Sequence, residues 1–200
     1  MLSLHQPVIH HDTSDYEVND GNIVETERLF LRKLLTTDVD DLFTMDSDPR
    51  THIYMGGTIP TKNKKESLEY INIINDQYMK YKTGRLAVIE KETNKFVGWC
   101  GVKFDTMGEN NRKNYYEIGY RLLPEYWGRG FATESAIAAL RHAFQMLPCE
   151  YIVGVAENRH TASCHILEKI GLNKKEEYMY NNIPNSWYEI SRNEFLSLQQ

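Results

Sequence analysis

Residues 117–134 read EIGYRLLPEYWGRGFATE, and this stretch determines the architecture of the chain. Its first part alternates apolar and polar residues as a strand does, and Pro124 stops that strand. A long apolar helical pattern begins after Gly130. Unpaired backbone N–H groups and the positive end of the helix dipole meet at such a junction. Because Gly128 leaves room at the backbone and Arg129 adds a positive charge, the stretch predicts an anion site.

The common nucleotide-binding motifs do not account for this turn. A dinucleotide-binding fingerprint needs a third glycine at the position where Thr133 stands. A P-loop needs Gly-Lys-Ser or Gly-Lys-Thr after its first glycine, and the chain contains no such string. On the glycines alone, a plain strand-to-helix turn is the alternative to phosphate binding.

The hydrophobic pattern on either side of this stretch predicts an α/β chain with a mixed sheet. The predicted order is a strand, two helices, three strands, a helix, a strand, a helix and two strands. Asp38 and Thr61 are placed to cap the first two helices, and Gly84 is placed to end the second. The strands are predicted at residues 29–32, 86–89, 96–104, 115–123, 151–156, 176–180 and 187–191, and the last helix at residues 162–170.

The composition is that of one ordinary globular domain. Of the 200 residues, 41% are hydrophobic and 26% are charged, with a formal net charge of −5. This balance argues against binding along a nucleic-acid backbone, which needs clustered Lys and Arg. Residues 1–22 are polar and are predicted to be an N-terminal extension, and residues 23–200 are predicted to form the domain.

Cysteine and histidine usage indicates neither a disulfide framework nor a metal site. Cys100, Cys149 and Cys164 are odd in number and lack paired spacing. His160 and His165 are five residues apart, which places them on different faces of a helix. The sequence has neither a run of about 18 apolar residues nor the layout of a signal peptide, so we expect no membrane span and a cytoplasmic protein.

Residues 117–134 resemble the acetyl-CoA signature of the GNAT acetyltransferases, in their RimJ/RimL-like branch. The superfamily pattern is Gln/Arg-x-x-Gly-x-Gly/Ala; here Gly130 and Ala132 occupy the small positions, and Trp127 stands where Gln or Arg is usual. Other strings are similar to the branch in the expected order. They are VETERLFLRKL at residues 24–34, the helix at residues 38–49, FVGWCGV at residues 96–102 and ASCHILEKIGL at residues 162–172.

The resemblance implies the GNAT fold, a mixed central sheet of about six to seven strands flanked by about four helices and splayed at the acetyl-CoA site. It implies an enzyme that moves acetyl from acetyl-CoA to a primary amine by direct transfer in a ternary complex, without a metal. The acceptor would be a peptide N-terminus, a polyamine or another small amine, and the chain a monomer or a homodimer. The alternative is a non-catalytic acetyl-CoA-binding sensor or scaffold.

The implied cofactor site lies between the strands at residues 117–123 and 151–156. Pantetheine would bind the backbone of the first strand as an added strand does, and the pyrophosphate would lie on the amides of the glycine turn. The branch usually has Asn where His160 stands, so either His160 or Asn158 contacts the pantetheine arm. The implied cofactor-binding residues are Tyr120, Arg121, Leu122, Trp127, Gly128, Arg129, Gly130, Phe131, Ala132, Thr133, Asn158, His160 and Ser163.

Two proton transfers need catalytic residues. Glu117 is the candidate that takes a proton from the amine, because the family often has an acidic residue on this strand. A solvent-facing position or a structural salt bridge is the alternative for Glu117. Ser163 is the candidate that faces the departing thiolate, and starting a helix is its alternative role. Tyr178 and Tyr180 are further candidate donors. The aromatic residues that would line the acceptor cleft, or else belong to the core, are Tyr54, Tyr70, Tyr178, Tyr180 and Trp187.

Overall fold

The computed structural model describes residues 22–55 and 58–198. The strands in this part of the chain are β1 (Asn22–Glu25), β2 (Leu29–Lys33), β3 (Gly84–Glu90), β4 (Lys95–Asp105), β5 (Tyr115–Leu122), β6 (Tyr151–Glu157), β7 (Asn173–Tyr180) and β8 (Ile183–Ser191). The helices are α1 (Val39–Ser47), α2 (Lys64–Tyr81), α3 (Phe131–Met146), α4 (Thr161–Lys169) and α5 (Arg192–Ser197). The predicted extension at residues 1–22 lies outside the described residues, except for Asn22, which begins β1.

One mixed sheet joins all eight strands, in the order β1-β2-β3-β4-β5-β6-β8-β7. Its pairs are antiparallel except for β5 and β6, which run parallel. The predicted α/β fold is confirmed, and the structure adds β1 and α5 to the elements expected from the sequence. Helix α5 begins with a capping box. In it, Ser191 Oγ accepts a hydrogen bond from Glu194 N at 3.2 Å, and Glu194 Oε2 accepts one from Ser191 N at 2.7 Å.

The sheet opens at its parallel pair. Strands β4 and β5 pair along eight residues each. Strands β5 and β6 pair at only two positions, Glu117↔Val153 and Ile118↔Gly154. Residues 119–122 of β5 therefore have no registered partner in β6, and their backbone forms an open edge. This is the splay that the resemblance implies.

Helix α3 packs closely against the sheet, and alanines alternate with larger apolar side chains on its buried face. Its buried face contains Ala136, Leu140, Ala143 and Phe144, each of which is at most 2% exposed. This is the apolar face that the helical pattern predicts. Close packing of α3 on β4 and β5 holds its first turn next to the carboxyl end of β5, where the sheet opens.

The boundaries of α2 differ from the prediction at both ends. Asn63, and not Thr61, caps the helix, because its side chain accepts a hydrogen bond from Glu66 N at 3.2 Å. The helix ends before Lys82, which adopts the left-handed conformation with φ 59°. Gly84 is not the residue that ends α2; it begins β3.

Asp38 stands at the N-cap of α1, as predicted, but it makes no side-chain capping bond there. Its carboxylate instead accepts from Leu35 N at 2.8 Å and from both terminal nitrogens of Arg32 at 2.7 Å. The carboxylate therefore ties the end of β2 to the start of α1, and the helix begins without a capping side chain.

Candidate functional site

A cleft of about 540 Å³ opens where β5 and β6 separate. It is lined by the loop at residues 50–55, by the end of β5 with the turn into α3, and by the start of α4. Arg129 and Asn158 are the predicted cofactor residues that do not line the cleft. Those that do line it are Tyr120, Arg121, Leu122, Trp127, Gly128, Gly130, Phe131, Ala132, Thr133, His160 and Ser163.

Two glycines shape the turn into α3. Gly128 has φ 74° and Gly130 has φ 82°, a region that side chains rarely adopt. A Cβ atom at Gly128 would meet nothing within 4 Å, so the surface of the turn is open there. Gly130 is the N-cap of α3 and provides no side-chain cap. The first N–H groups of α3 therefore have no capping side chain, which suits an anionic ligand.

Trp127 occupies the first position of the signature, and its indole makes a hydrogen bond. Its indole Nε1–H donates to the carbonyl oxygen of Leu122 at 2.8 Å. The half-exposed ring lines the cleft. The donor group at this position thus ties the turn to the end of β5, and it does not extend as a free polar side chain.

Two arginines flank the ring of Phe131 beside the turn. The guanidinium carbons of Arg28 and Arg129 each lie 4.6 Å from the ring centroid. Arg129 pairs with Glu90 at 2.5 Å, and Arg28 pairs with Glu134 at 2.6 Å. Arg28 was not predicted from the sequence, because 106 residues separate it from Glu134 and no spacing rule relates the two.

A tyrosine and a serine meet across the opening in the sheet. The hydroxyl of Tyr120 on β5 lies 3.0 Å from the carbonyl oxygen of Ser163 and 3.1 Å from its Oγ, in the first turn of α4. Burial raises the pKa of Tyr120 well above its ordinary value, so the phenol stays neutral. The other candidate donors lie elsewhere: Tyr178 donates to Glu109, and Tyr180 does not line the cleft.

Glu117 lies beside the opening with two cations. Its Oε1 pairs with Nη2 of Arg85 at 2.9 Å and its Oε2 with Nζ of Lys103 at 3.3 Å. Arg85 is buried, and a Cβ atom at Gly119 would lie 2.6 Å from its guanidinium, so this glycine leaves room for the pair. Glu117 does not line the cleft. The salt bridge considered from the sequence is present, and the role of Glu117 as proton acceptor stays a prediction.

The two candidates for the pantetheine contact lie in different surroundings. The side-chain oxygen of Asn158 accepts from Ser186 Oγ at 2.6 Å, outside the cleft lining. His160 lines the cleft, and its ring stacks on Tyr54 with centroids 4.5 Å apart and planes at 15°. Burial lowers the pKa of His160, although the charge of Glu157 partly opposes this change. The geometry thus brings His160, and not Asn158, to the cleft.

The aromatic residues considered for an acceptor cleft separate into two groups. Tyr54 lines the cleft, whereas Trp187 is fully buried and contacts Tyr115 edge to face at 4.9 Å. Tyr70 packs near Trp99 at 6.4 Å, and burial raises its pKa to about 12. The buried rings belong to the packing of the domain, and Tyr54 belongs to the cleft.

The loop at residues 50–55 is held to β5 by Arg121. One terminal nitrogen of Arg121 pairs with Asp46 Oδ1 at 2.7 Å, and the other lies 3.1 Å from the sulfur of Met55. Both interactions join residues at least 66 positions apart, so the sequence contained no local signal for them. Through Arg121, the end of α1 and the following loop form one wall of the cleft.

Within residues 22–55 and 58–198, no group of three or more His, Cys, Asp or Glu side chains is arranged to hold a metal ion. In the same part of the chain, no helix has the length and apolar character needed to cross a membrane. Cys100 and Cys149 are buried and free, and burial raises the pKa of both thiols. These thiols are therefore kept protonated by their surroundings.

The sequence resembles those of known proteins over most of its length. Residues 28–173 match the family model described as an acetyltransferase (GNAT) domain. The uncharacterized N-acetyltransferase p20 of Bacillus licheniformis is 33% identical over 150 residues, which cover 75% of this chain and 82% of that protein.

Solved structures show the same fold. A GNAT-family acetyltransferase from Bacillus anthracis has a TM-score of 0.69 at 22% identity, covering 84% of this chain and 97% of that one. Spermidine N-acetyltransferase from Vibrio cholerae, in complex with CoA and spermine, has a TM-score of 0.69 at 17% identity, covering 86% of this chain and 99% of that one. An open strand edge, an uncapped helix start and a matching family sequence occur together, and the chain therefore belongs to the GNAT family of acetyltransferases.

Proposed function

We propose that this GNAT acetyltransferase moves acetyl from acetyl-CoA to a primary amine by direct transfer within a ternary complex. The observation that carries the proposal is the cleft at the splay. In it, the open backbone edge of residues 119–122 leads to the uncapped start of α3 at Gly130. GNAT acetyltransferases use acetyl-CoA, whose peptide-like arm suits a free strand edge and whose pyrophosphate suits a free helix N-terminus.

The residues present fit this donor. We place the pantetheine arm on the backbone of Tyr120, Arg121 and Leu122, and the pyrophosphate on the amides from Gly128 to Thr133. Two observations support this placement: nothing lies within 4 Å of a Cβ position at Gly128, and the α3 N-terminus has no side-chain cap. Arg129 and Arg28 pack on Phe131 beside the turn, and each is already paired with a carboxylate, so the backbone amides are the main anion-binding groups of this placement. His160 is the better candidate for the contact with the arm, because it lines the cleft.

Ser163 is our candidate for the proton donor to the departing sulfur. Bound acetyl-CoA supplies an activated thioester carbonyl. The hydroxyl of Ser163 lies in the cleft, and the neutral phenol of Tyr120 is 3.1 Å from its Oγ. A hydroxyl held by a second hydroxyl in this way has a fixed position, and it can donate as negative charge forms on the sulfur.

For the acceptor we propose a primary amine on a small molecule or at a peptide N-terminus, as in the RimJ/RimL-like branch. The strings at residues 24–34 and 162–172 support this branch. Spermidine N-acetyltransferase, which shares the fold, was solved with spermine, so a polyamine belongs in the first panel of acceptors.

The experiment that tests the proposal has two parts. Thermal unfolding is measured with and without acetyl-CoA, and thiol release is then followed over a panel of polyamines, small amines and N-terminal peptides. A rise in Tm together with thiol release on at least one amine supports the transferase. A rise in Tm with no release on any amine supports the non-catalytic sensor. No change in Tm contradicts the placement of acetyl-CoA on the glycine turn.

A further inference from the structure

No described residue in the lining of the cleft proposed for the acetyl donor carries a carboxylate. Among the described residues that line it, the charged and basic side chains are two arginines, Arg50 and Arg121, and two histidines, His160 and His165. An amine acceptor is mostly protonated at neutral pH and must lose a proton before it can attack a carbonyl. Imidazole is the side chain in this lining that can accept a proton near pH 7.

The side chain of His160 does not stabilise the start of the helix. This residue is the N-cap of α4, with φ −82° and ψ 66°, and its side chain makes no capping hydrogen bond. Ser, Thr, Asp or Asn at an N-cap typically stabilises a protein relative to a residue that does not cap. The ring of His160 instead stacks on Tyr54 and lines the cleft. Stacking fixes the plane of the imidazole, and burial favours its neutral, proton-accepting form.

Glu157 provides the negative charge next to this imidazole. It is 4% exposed and ends β6, and its backbone carbonyl accepts from His160 N at 2.8 Å. One carboxylate oxygen, Oε1, accepts from Arg159 Nε at 2.6 Å. The other, Oε2, is buried and has no hydrogen-bond partner among the described residues. A buried carboxylate oxygen without a partner is costly to the fold, so its presence needs a functional explanation.

We propose that His160 is the base that takes the first proton from the amine, and that Glu157 is a positioning residue that stabilises the imidazolium formed. This inference rests on the proposed acetyl transfer and names the proton acceptor of that same site. Glu157 then acts on His160 through the field of its charge and not through a hydrogen bond to the ring, because Oε1 bonds Arg159 and Oε2 has no partner among the described residues. The charged and titratable groups around the pair are Arg159 on the same turn, Tyr54 on the facing loop and Cys164 on α4, whose sulfur is 3.7 Å from the Glu157 carbonyl oxygen.

His160 and Ser163 together account for both protons that the acceptor loses. An acceptor ammonium gives up two protons in total. The first moves to the free ring nitrogen of His160 and then to solvent, which leaves a neutral amine. Its lone pair forms the N–C bond to the acetyl carbon, the C–S bond breaks, and the electron pair leaves with the sulfur. The second proton ends on that sulfur through Ser163. Because neutral imidazole has one donor and one acceptor nitrogen, His160 can still donate its N–H to the pantetheine arm.

Histidine at 160 is tested with the His160→Asn variant. Asparagine keeps an N–H donor and is a better N-cap, so Tm is expected to stay equal or rise, and acetyl-CoA affinity to stay within about 3-fold. Turnover on the best amine is expected to fall at least ~100-fold at pH 7, the typical contribution of a general base. It should recover in part at high pH, where the free amine is abundant. The matched control is His142→Asn, because His142 is also a histidine whose pKa burial lowers, and it lies away from the cleft.

Glu157→Gln tests the second half of the proposal through the pH profile of kcat/KM. The wild-type rate should fall as pH drops through the pKa of His160, which lies below its ordinary value. Without the carboxylate, this pKa falls further, so the acid limb should move to lower pH and kcat should drop about 10-fold. A purely structural role for Glu157 would leave the acid limb in place.

The outcomes separate this inference from the proposed function. If wild-type protein releases thiol and His160→Asn releases it within 3-fold of the wild-type rate, His160 is not the base. If the acid limb is unchanged in Glu157→Gln, Glu157 does not act on the base. If wild-type protein itself releases no thiol on any amine, the acetyl transfer fails, and that result concerns the earlier proposal.

Discussion

The two sides of the cleft are built in different ways. The turn at residues 127–133 exposes backbone, and its two glycines and the start of α3 lie within seven residues. The opposite side is built from side chains of three distant segments, in which Tyr54 meets His160 and Arg121 meets Asp46. A site made of backbone amides needs a short string of permissive residues, whereas a site made of side chains needs the whole fold.

This difference predicts how each side responds to mutation. Substitutions in the turn should act on acetyl-CoA affinity with little dependence on the acceptor. Substitutions on the opposite side should act on turnover or on stability and leave acetyl-CoA affinity nearly unchanged. The following predictions test this separation.

The largest expected effect is on the turn. Gly130→Val forces a branched side chain into φ 82° and places its Cβ 3.4 Å from Nη2 of Arg28. Acetyl-CoA affinity measured by calorimetry should fall at least ~100-fold, because the first amides of α3 move from their positions. The control is Gly108→Val, which has the same kind of strain at φ 86° but lies outside the cleft lining. It should lose stability and keep its affinity. Normal affinity in Gly130→Val would contradict the backbone site.

The next effect concerns stability at the ion pair beside the cleft. Glu117→Gln removes a charge that is 14% exposed and leaves buried Arg85 without its carboxylate. The free energy of unfolding in urea should fall by about 3 kcal/mol, as for other broken buried pairs. Glu176→Gln is the control, since its pair with Arg112 is exposed and should contribute at most about 1 kcal/mol. If Glu117→Gln instead lowers turnover by ~100-fold and keeps its stability, Glu117 is the proton acceptor.

The smallest effects concern the hydroxyl pair at Tyr120 and Ser163. Ser163→Ala should lower kcat about 30-fold, because it removes the proposed proton donor. Tyr120→Phe should lower kcat only about 5-fold, because the Ser163 hydroxyl loses its hydrogen-bond partner but can still reach the sulfur. The double variant should be no slower than Ser163→Ala alone, since the phenol acts through the serine. Acetyl-CoA affinity should change less than about 3-fold in all three. Independent, multiplying losses would show that Tyr120 has a role of its own.

The parts of the fold that rest on local pattern were predictable from the sequence. The apolar face of α3, the stop at Pro124 and the glycine turn depend on neighbouring residues, and the structure has them where the pattern places them. The N-cap of α2 could also have been predicted from the sequence. Asn63 and Glu66 form the Asn-x-x-Glu capping pattern, and Thr61 has no Glu three residues later.

The remaining parts of the site depend on contacts between distant segments. Nothing in the spacing of Glu117 indicates that Arg85, 32 residues earlier, forms an ion pair with its carboxylate. The same holds for the stack of His160 on Tyr54, which joins the start of α4 to a loop more than a hundred residues before it. Such pairs follow from the packing of elements in three dimensions, and periodicity describes each element separately.

The salt bridge between Arg28 and Glu134 has a consequence for how the chain folds. Arg28 lies just before β2, and its partner lies in the first turn of α3, so the turn is not held in place until both ends of this 106-residue interval have met. Ribosomes release the amino-terminal part of the chain first, so β1, β2 and Arg28 are synthesised well before α3 and Glu134. Contacts of such long range cost loop-closure entropy, which slows folding. The geometry of the turn therefore depends on a contact that cannot form until α3 has been synthesised, and a ligand that binds only the assembled turn stabilises the folded domain by mass action.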